Sequence, residues 1–178
     1  MSNNGHLSKA EWVRELFEQH EGPLVRYATW LIGDPERARD VVQDTFLRLC
    51  AEELTDVKSY VAEWLFTVCR NRALDVFRKE NRVKPLTEYE AGLHVSEIPS
   101  PATTVEREDA TSHVLLAVKS LPPNQQEVVR LKFQCGLSYK EISHVTNLTV
   151  TNVGFLLHRS LKTLRRELRT EFGLSKLQ

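Results

Sequence analysis

Residues 84–110, KPLTEYEAGLHVSEIPSPATTVEREDA, contain three prolines (Pro85, Pro99, Pro101), one glycine and no sustained hydrophobic period. A stretch of about 25 residues without a period is longer than a loop inside a compact domain, so it reads as a tether. On either side of it the helix period dominates and strand signals are absent. Candidate helices run from about Lys9 to Leu31, from Pro35 to about Glu52 and from Val57 to about Asn81. Beyond the tether they cover 110–120, 124–134, 138–145 and 149–170. The expected fold is therefore all-α: two small helical domains joined by a flexible linker. Two start signals are sharp. Asp34 precedes Pro35 and Glu36 after a break at Gly33, and Ser138 stands three residues before Glu141, the capping-box spacing.

With 41% hydrophobic and 27% charged residues, the chain has the composition of an ordinary folded protein, which excludes disordered, fibrous and disulfide-scaffold classes. Charge interrupts every apolar stretch well short of the roughly 20 residues of a membrane span. Glu11 and Glu15 fall where a secretory leader is apolar, so a cytoplasmic protein with no membrane association is expected. Cys50, Cys69 and Cys135 are odd in number and far apart, as suits buried, reduced thiols better than a disulfide or zinc set. No cofactor or metal site is expected.

Lys plus Arg total 24 and Asp plus Glu total 24, for zero net charge. Neutrality ordinarily counts against nucleic-acid binding. Counted by segment, however, residues 1–33 carry −1, 34–63 carry −4, 70–84 carry +4, 85–110 carry −5 and 111–178 carry +6. Fields act within a Debye length of about 10 Å, so such blocks suit a chain that touches surfaces of both signs.

Beyond the tether, the capped helix at Ser138 places Ile142 and Val145 inward. A tight turn, Thr146-Asn147-Leu148, then leads into a long helix: the helix-turn-helix plan, whose second helix enters the major groove. In that helix Val150, Val153, Leu157, Leu161, Leu164 and Leu168 form the expected core stripe. Thr151, Asn152, Phe155, Arg159, Lys162, Arg166 and Arg169 lie on the other side, small and apolar groups first and cations later. That order fits base contacts at the helix start and phosphate contacts further on.

In the first half, Asp40, Gln43, Asp44 and Leu47 lie at i, i+3, i+4 and i+7 on one helix face, while Val42, Phe46 and Leu49 point toward a core. Two carboxylates one turn apart can serve a metal or acid–base chemistry. No histidine or third acid stands at ligand spacing, so a protein-docking face is the better reading. The next helix interleaves Arg70, Asn71, Asp75, Arg78 and Lys79 with Tyr60, Trp64, Phe66 and Phe77, a pattern that suits single-stranded nucleic acid.

Taken in order, DPERARDVVQDTFLRLC, AEWLFTVCRNRALDVFR and LPPNQQEVVRLKFQCGLSYKEISHVTNLTVTNVGFLLHRSLKTLRREL resemble bacterial sigma factors of the sigma-70 family, of the extracytoplasmic-function type. The resemblance implies a region 2-like domain over 7–84, a linker over 85–109 and a region 4-like helix-turn-helix domain over 110–172. It implies that Asp40, Gln43, Asp44 and Leu47 dock on core RNA polymerase. Lys58, Trp64, Arg70, Asn71, Asp75, Arg78, Lys79 and Arg82 are then the contacts to the promoter's minus-ten element, with the loop around Thr55 to Lys58 holding a flipped-out base. Ser138, Tyr139, Thr151, Asn152, Phe155, Arg159, Lys162 and Arg166 become the contacts to the minus-thirty-five element. An anti-sigma protein is a further partner implied by the family.

The chain departs from the family pattern at one point. Where most relatives carry Lys-Ser-Arg after the position of Val153, it has Gly154-Phe155-Leu156. This implies a lost phosphate contact at Leu156 and a new apolar group, Phe155, suited to a thymine methyl. Two other classes predict different things. A free-standing helix-turn-helix regulator uses only the second half and leaves the Asp40 to Arg82 pattern without a purpose. An enzyme needs a nucleophile–base pair, and the six scattered histidines supply none.

Overall fold

The computed structural model describes residues 8–53, 57–80 and 113–171. They form two compact units, and every regular element among the described residues is a helix. The first unit holds α1 (Lys9–Ile32), α2 (Pro35–Ala51) and α3 (Val61–Glu80). The second holds α4 (113–119), α5 (Pro123–Phe133), α6 (Tyr139–Thr146) and α7 (Val150–Glu171). The tether expected at 85–109 and Arg82 lie outside the described residues, as do Thr55 and Asp56.

Local chemistry sets the helix ends. Ser8 and Glu11 close a capping box at the start of α1: the Glu11 carboxylate accepts from the Ser8 N–H at 2.8 Å. The backbone N–H and then the hydroxyl of Ser8 hold the Glu11 carboxyl below its ordinary range. Gly33 ends α1 at φ 85°, a left-handed conformation that costs glycine little, and its N–H returns to Thr29 O at 2.8 Å. One residue later Asp34 caps α2, accepting from the N–H groups of Glu36 and Arg37. The chain therefore reverses within two residues, and α1 and α2 pack side by side.

The core of the first unit is aromatic. Tyr27 stacks on Trp30 with centroids 6.1 Å apart and meets Phe66 of α3 at 5.8 Å, while Phe17 meets Phe46 edge-on at 4.9 Å. Val42, Phe46 and Leu49 are buried, as their spacing predicts. Phe66 is fully buried in this cluster and offers no face to a nucleic-acid base. Among the cysteines, Cys69 is buried and Cys135 half-buried, but Cys50 is exposed, contrary to the expectation that all three are interior.

In the second unit α5 packs against α7. Gln126 donates to Lys119 O and Leu121 O, satisfying carbonyls left open where α4 ends. Ser138 caps α6 as its spacing with Glu141 predicts. Asn147 ends it at φ 57°, ψ 28°, with its N–H on Ser143 O. This is the sharp turn of the helix-turn-helix, and asparagine tolerates a left-handed backbone better than any side chain but glycine's absence of one.

Asn147→Gly is therefore expected to leave the melting temperature of the second unit unchanged or slightly raised. Asn147→Val is expected to cost about 1–2 kcal/mol, because a β-branched side chain is strained at positive φ. Thermal melts of the two variants against the parent chain check this.

Candidate docking and nucleic-acid interfaces

On α2, Asp40, Gln43 and Leu47 are all exposed. Leu47 retains 62% of its surface, a large apolar side chain facing outward between polar neighbours. Asp44 is held from across the unit: the Arg72 guanidinium on α3 donates to its carboxylate. Beside this pair, Arg37, Asp40, Val41, Asp44, Arg72, Val76 and Lys79 line a groove of about 570 Å³ between α2 and α3. The candidate docking face thus extends beyond its sequence signal, which covers only one helix. Arg72 is 28 residues from Asp44, and no local spacing announces their contact.

The α3 residues divide by helix face. Leu65, Phe66, Cys69 and Ala73 face the core. Asn71, Asp75, Arg78 and Lys79 are exposed, and Asp75 and Arg78 pair at 3.6 Å one turn apart. Trp64 is half-buried, and Lys58 is exposed in the turn over 57–60 that precedes α3. Arg70 corrects the expectation from sequence. Its side chain keeps only 7% of its surface, so it is not presented to a ligand as the other cations are. Its position follows from helix geometry, since residue 70 lies one step from Cys69 and one turn before Ala73, within the buried stripe.

In the second unit α7 is the outward-facing helix of the helix-turn-helix. Its buried stripe is Val153, Leu156, Leu157, Ser160 and Leu164, rotated from the stripe expected from sequence. Val150 is 47% exposed, while Leu156 is buried. Ser160 lies within this stripe. Its hydroxyl donates to Leu156 O at 2.7 Å and sits 3.3 Å from the side-chain oxygen of Gln125, so a polar residue occupies the α5–α7 seam without an unmet hydrogen bond. Leu156 accordingly offers no group to a phosphate.

Thr151, Asn152, Phe155, Arg159, Lys162 and Arg166 are all exposed on α7. Phe155 retains 55% of its surface, and the Arg159 guanidinium lies 5.6 Å from its ring centre. Ser138 is occupied as a cap. Tyr139, exposed at the start of α6, has Lys132 Nζ 5.5 Å from its ring centre. Among the described residues no cluster of His, Cys, Asp and Glu is arranged to hold a metal ion, and no helix is long and apolar enough to cross a membrane.

A three-helix unit followed by a helix-turn-helix unit whose outer helix is basic has the plan of a DNA-binding protein. The comparisons make that class specific. The family described as Sigma-70 region 2 matches residues 16–83, and the one described as Sigma-70, region 4 matches residues 113–164. The chain is 30% identical over 173 residues to the ECF RNA polymerase sigma factor SigL of Mycobacterium tuberculosis, covering 95% of each. It is 28% identical to the ECF RNA polymerase sigma factor SigM of Bacillus subtilis, covering 86% of this chain and 93% of that one. Among solved structures, a chain of the RsbN–BldN complex is similar at 25% identity with a TM-score of 0.31, covering 88% of this chain and 91% of that one. The chain belongs to the sigma-70 family, in its extracytoplasmic-function group.

The Arg72–Asp44 pair is partly exposed on both sides, so it contributes little to stability. Arg72→Met is expected to lower unfolding free energy by less than about 1 kcal/mol in urea titrations. A larger loss identifies the pair as part of the fold and not a support for the docking face.

Proposed function

We infer that this chain is a promoter-specificity subunit: it binds core RNA polymerase, brings it to a promoter, helps open the duplex and is then released. The observation that carries this reading is the ordered match of region 2 on α1–α3 and region 4 on α4–α7. A free-standing regulator needs only the second of these, and the match over 16–83 counts against it. The chain works in the cytoplasm with the polymerase and catalyses nothing itself; phosphodiester synthesis belongs to the core enzyme.

In this reading Asp40, Gln43, Asp44 and Leu47 form the polymerase contact, with Leu47 as its desolvated centre and the carboxylates fixing orientation. Arg72 positions Asp44 from α3. Asn71, Asp75, Arg78 and Lys79 present hydrogen-bonding groups and cations to the opened minus-ten element, with Trp64 and Lys58 beside them. Thr151, Asn152, Phe155 and Arg159 face the bases of the minus-thirty-five element, and Lys162 and Arg166 face phosphates. The domains divide at 7–84 and 110–172, with 85–109 as the acidic link between them.

In vitro transcription with core polymerase over a promoter library, with and without the chain, tests the reading. Chain-dependent transcripts from a defined promoter set are expected; identical output in both reactions overturns it. Asp44→Ala combined with Leu47→Ala is expected to abolish co-purification with core polymerase while leaving the circular dichroism spectrum unchanged. Lys162→Glu with Arg166→Glu is expected to weaken promoter-duplex binding and to reduce the salt slope, log K against log salt, by about 2, one for each lost phosphate contact.

A further inference from the structure

The outward face near the start of α7 carries the residues Gly154 and Phe155, at which the chain departs from the family pattern. Gly154 sits in the helix interior, where it costs about 1 kcal/mol relative to alanine. Next to it, Phe155 exposes 55% of its surface on a face that otherwise carries Thr151, Asn152, Arg159 and Lys162. Two locally unfavourable residues side by side, neither serving the core, mark a site where contact with something else compensates them. Gly154 does not owe its place to crowding within the chain. A Cβ built there meets the Tyr139 ring at 3.7 Å, ordinary contact distance.

The partner that suits this surface is duplex DNA. Arg159, Lys162, Arg165, Arg166 and Arg169 follow Phe155 along exposed positions of the same helix, a run of cations complementary to a phosphate backbone. The major groove presents one apolar group, the C5-methyl of thymine. Arg159 lies 5.6 Å from the Phe155 ring, so its guanidinium is held next to the apolar contact. An arginine fork pairs with O6 and N7 of guanine in the major groove.

We propose that Phe155 is a specificity-determining residue that reads a thymine methyl in the minus-thirty-five element, beside a guanine read by Arg159. The proposal rests on the sigma-factor reading above. Removing one buried methyl is worth roughly fourfold in affinity, so the contact shapes sequence preference without dominating binding.

The experiment uses the full chain bound to core polymerase. The preferred minus-thirty-five element is selected in vitro from randomised promoters, and each thymine in it is replaced singly by deoxyuridine, which removes only the methyl. With the parent chain, one thymine is expected to lose about fourfold in holoenzyme binding. With Phe155→Ala, the same replacement is expected to change nothing. Replacing that thymine by cytosine is expected to weaken binding, and 5-methylcytosine to restore part of the loss for the parent chain alone. Equal responses of the two proteins at every thymine overturn the proposal, as does a selected element without thymine. If the holoenzyme selects no element while core polymerase alone is active, the sigma-factor reading fails and this proposal with it. Selection of an element combined with equal deoxyuridine responses sinks the Phe155 assignment alone.

Discussion

The rotation of α7 about its own axis is the constraint on which the second unit's function depends. A helix of 22 residues presents one stripe to its neighbours and the remainder to solvent. Burial of Val153, Leu157 and Leu164 leaves some freedom in the exact angle. Leu156 and Ser160 narrow it: both are buried, and the Ser160 hydroxyl, bonded to Leu156 O within its own helix, lies 3.3 Å from the side-chain oxygen of Gln125 on α5. With the axis held, Phe155 and Arg159 point outward together. The turn at Asn147 then sets where the helix begins, and the Ser138 cap sets where the preceding one does.

The first unit meets a different requirement. It buries enough surface to hold three helices while Leu47 and Asp40 stay exposed and Asp44 half-buried on α2. The aromatic cluster of Tyr27, Trp30 and Phe66 supplies that burial from α1 and α3, so the outward face of α2 is not needed for the core. Arg72 then reaches across to Asp44 and turns a one-helix feature into a surface built from two. In this arrangement zero net charge is a sum of local fields. Residues 34–63 carry −4, residues 70–84 carry +4 and α7 is basic, so the opposite local fields cancel and the chain as a whole has little excess charge to hold DNA nonspecifically.

Much of the fold was legible because its signals are local. Asp34-Pro35-Glu36, Gly33 and the Ser138–Glu141 pair act within a turn of backbone, and each helix end falls within a few residues of the place these signals mark. Outward positions on α2 and α7 followed from the 3.6-residue period. The misreadings share one cause. Val150 fits the apolar stripe by angle, yet it stands at the first residue of α7 and is exposed. Leu156 lies at the edge of the stripe and is buried. Arg70 shares the spacing of the outward cations but is buried.

What the amino-acid order determined alone was therefore the set of helices, their caps and the two families of outward residues, because those depend on interactions within about four residues. Tertiary structure alone decided how far each helix is rotated, which cations remain presented, and that Asp44 is held by a residue 28 positions away. Those outcomes depend on which surfaces meet, and a periodic pattern specifies a face only to within the width of a side chain.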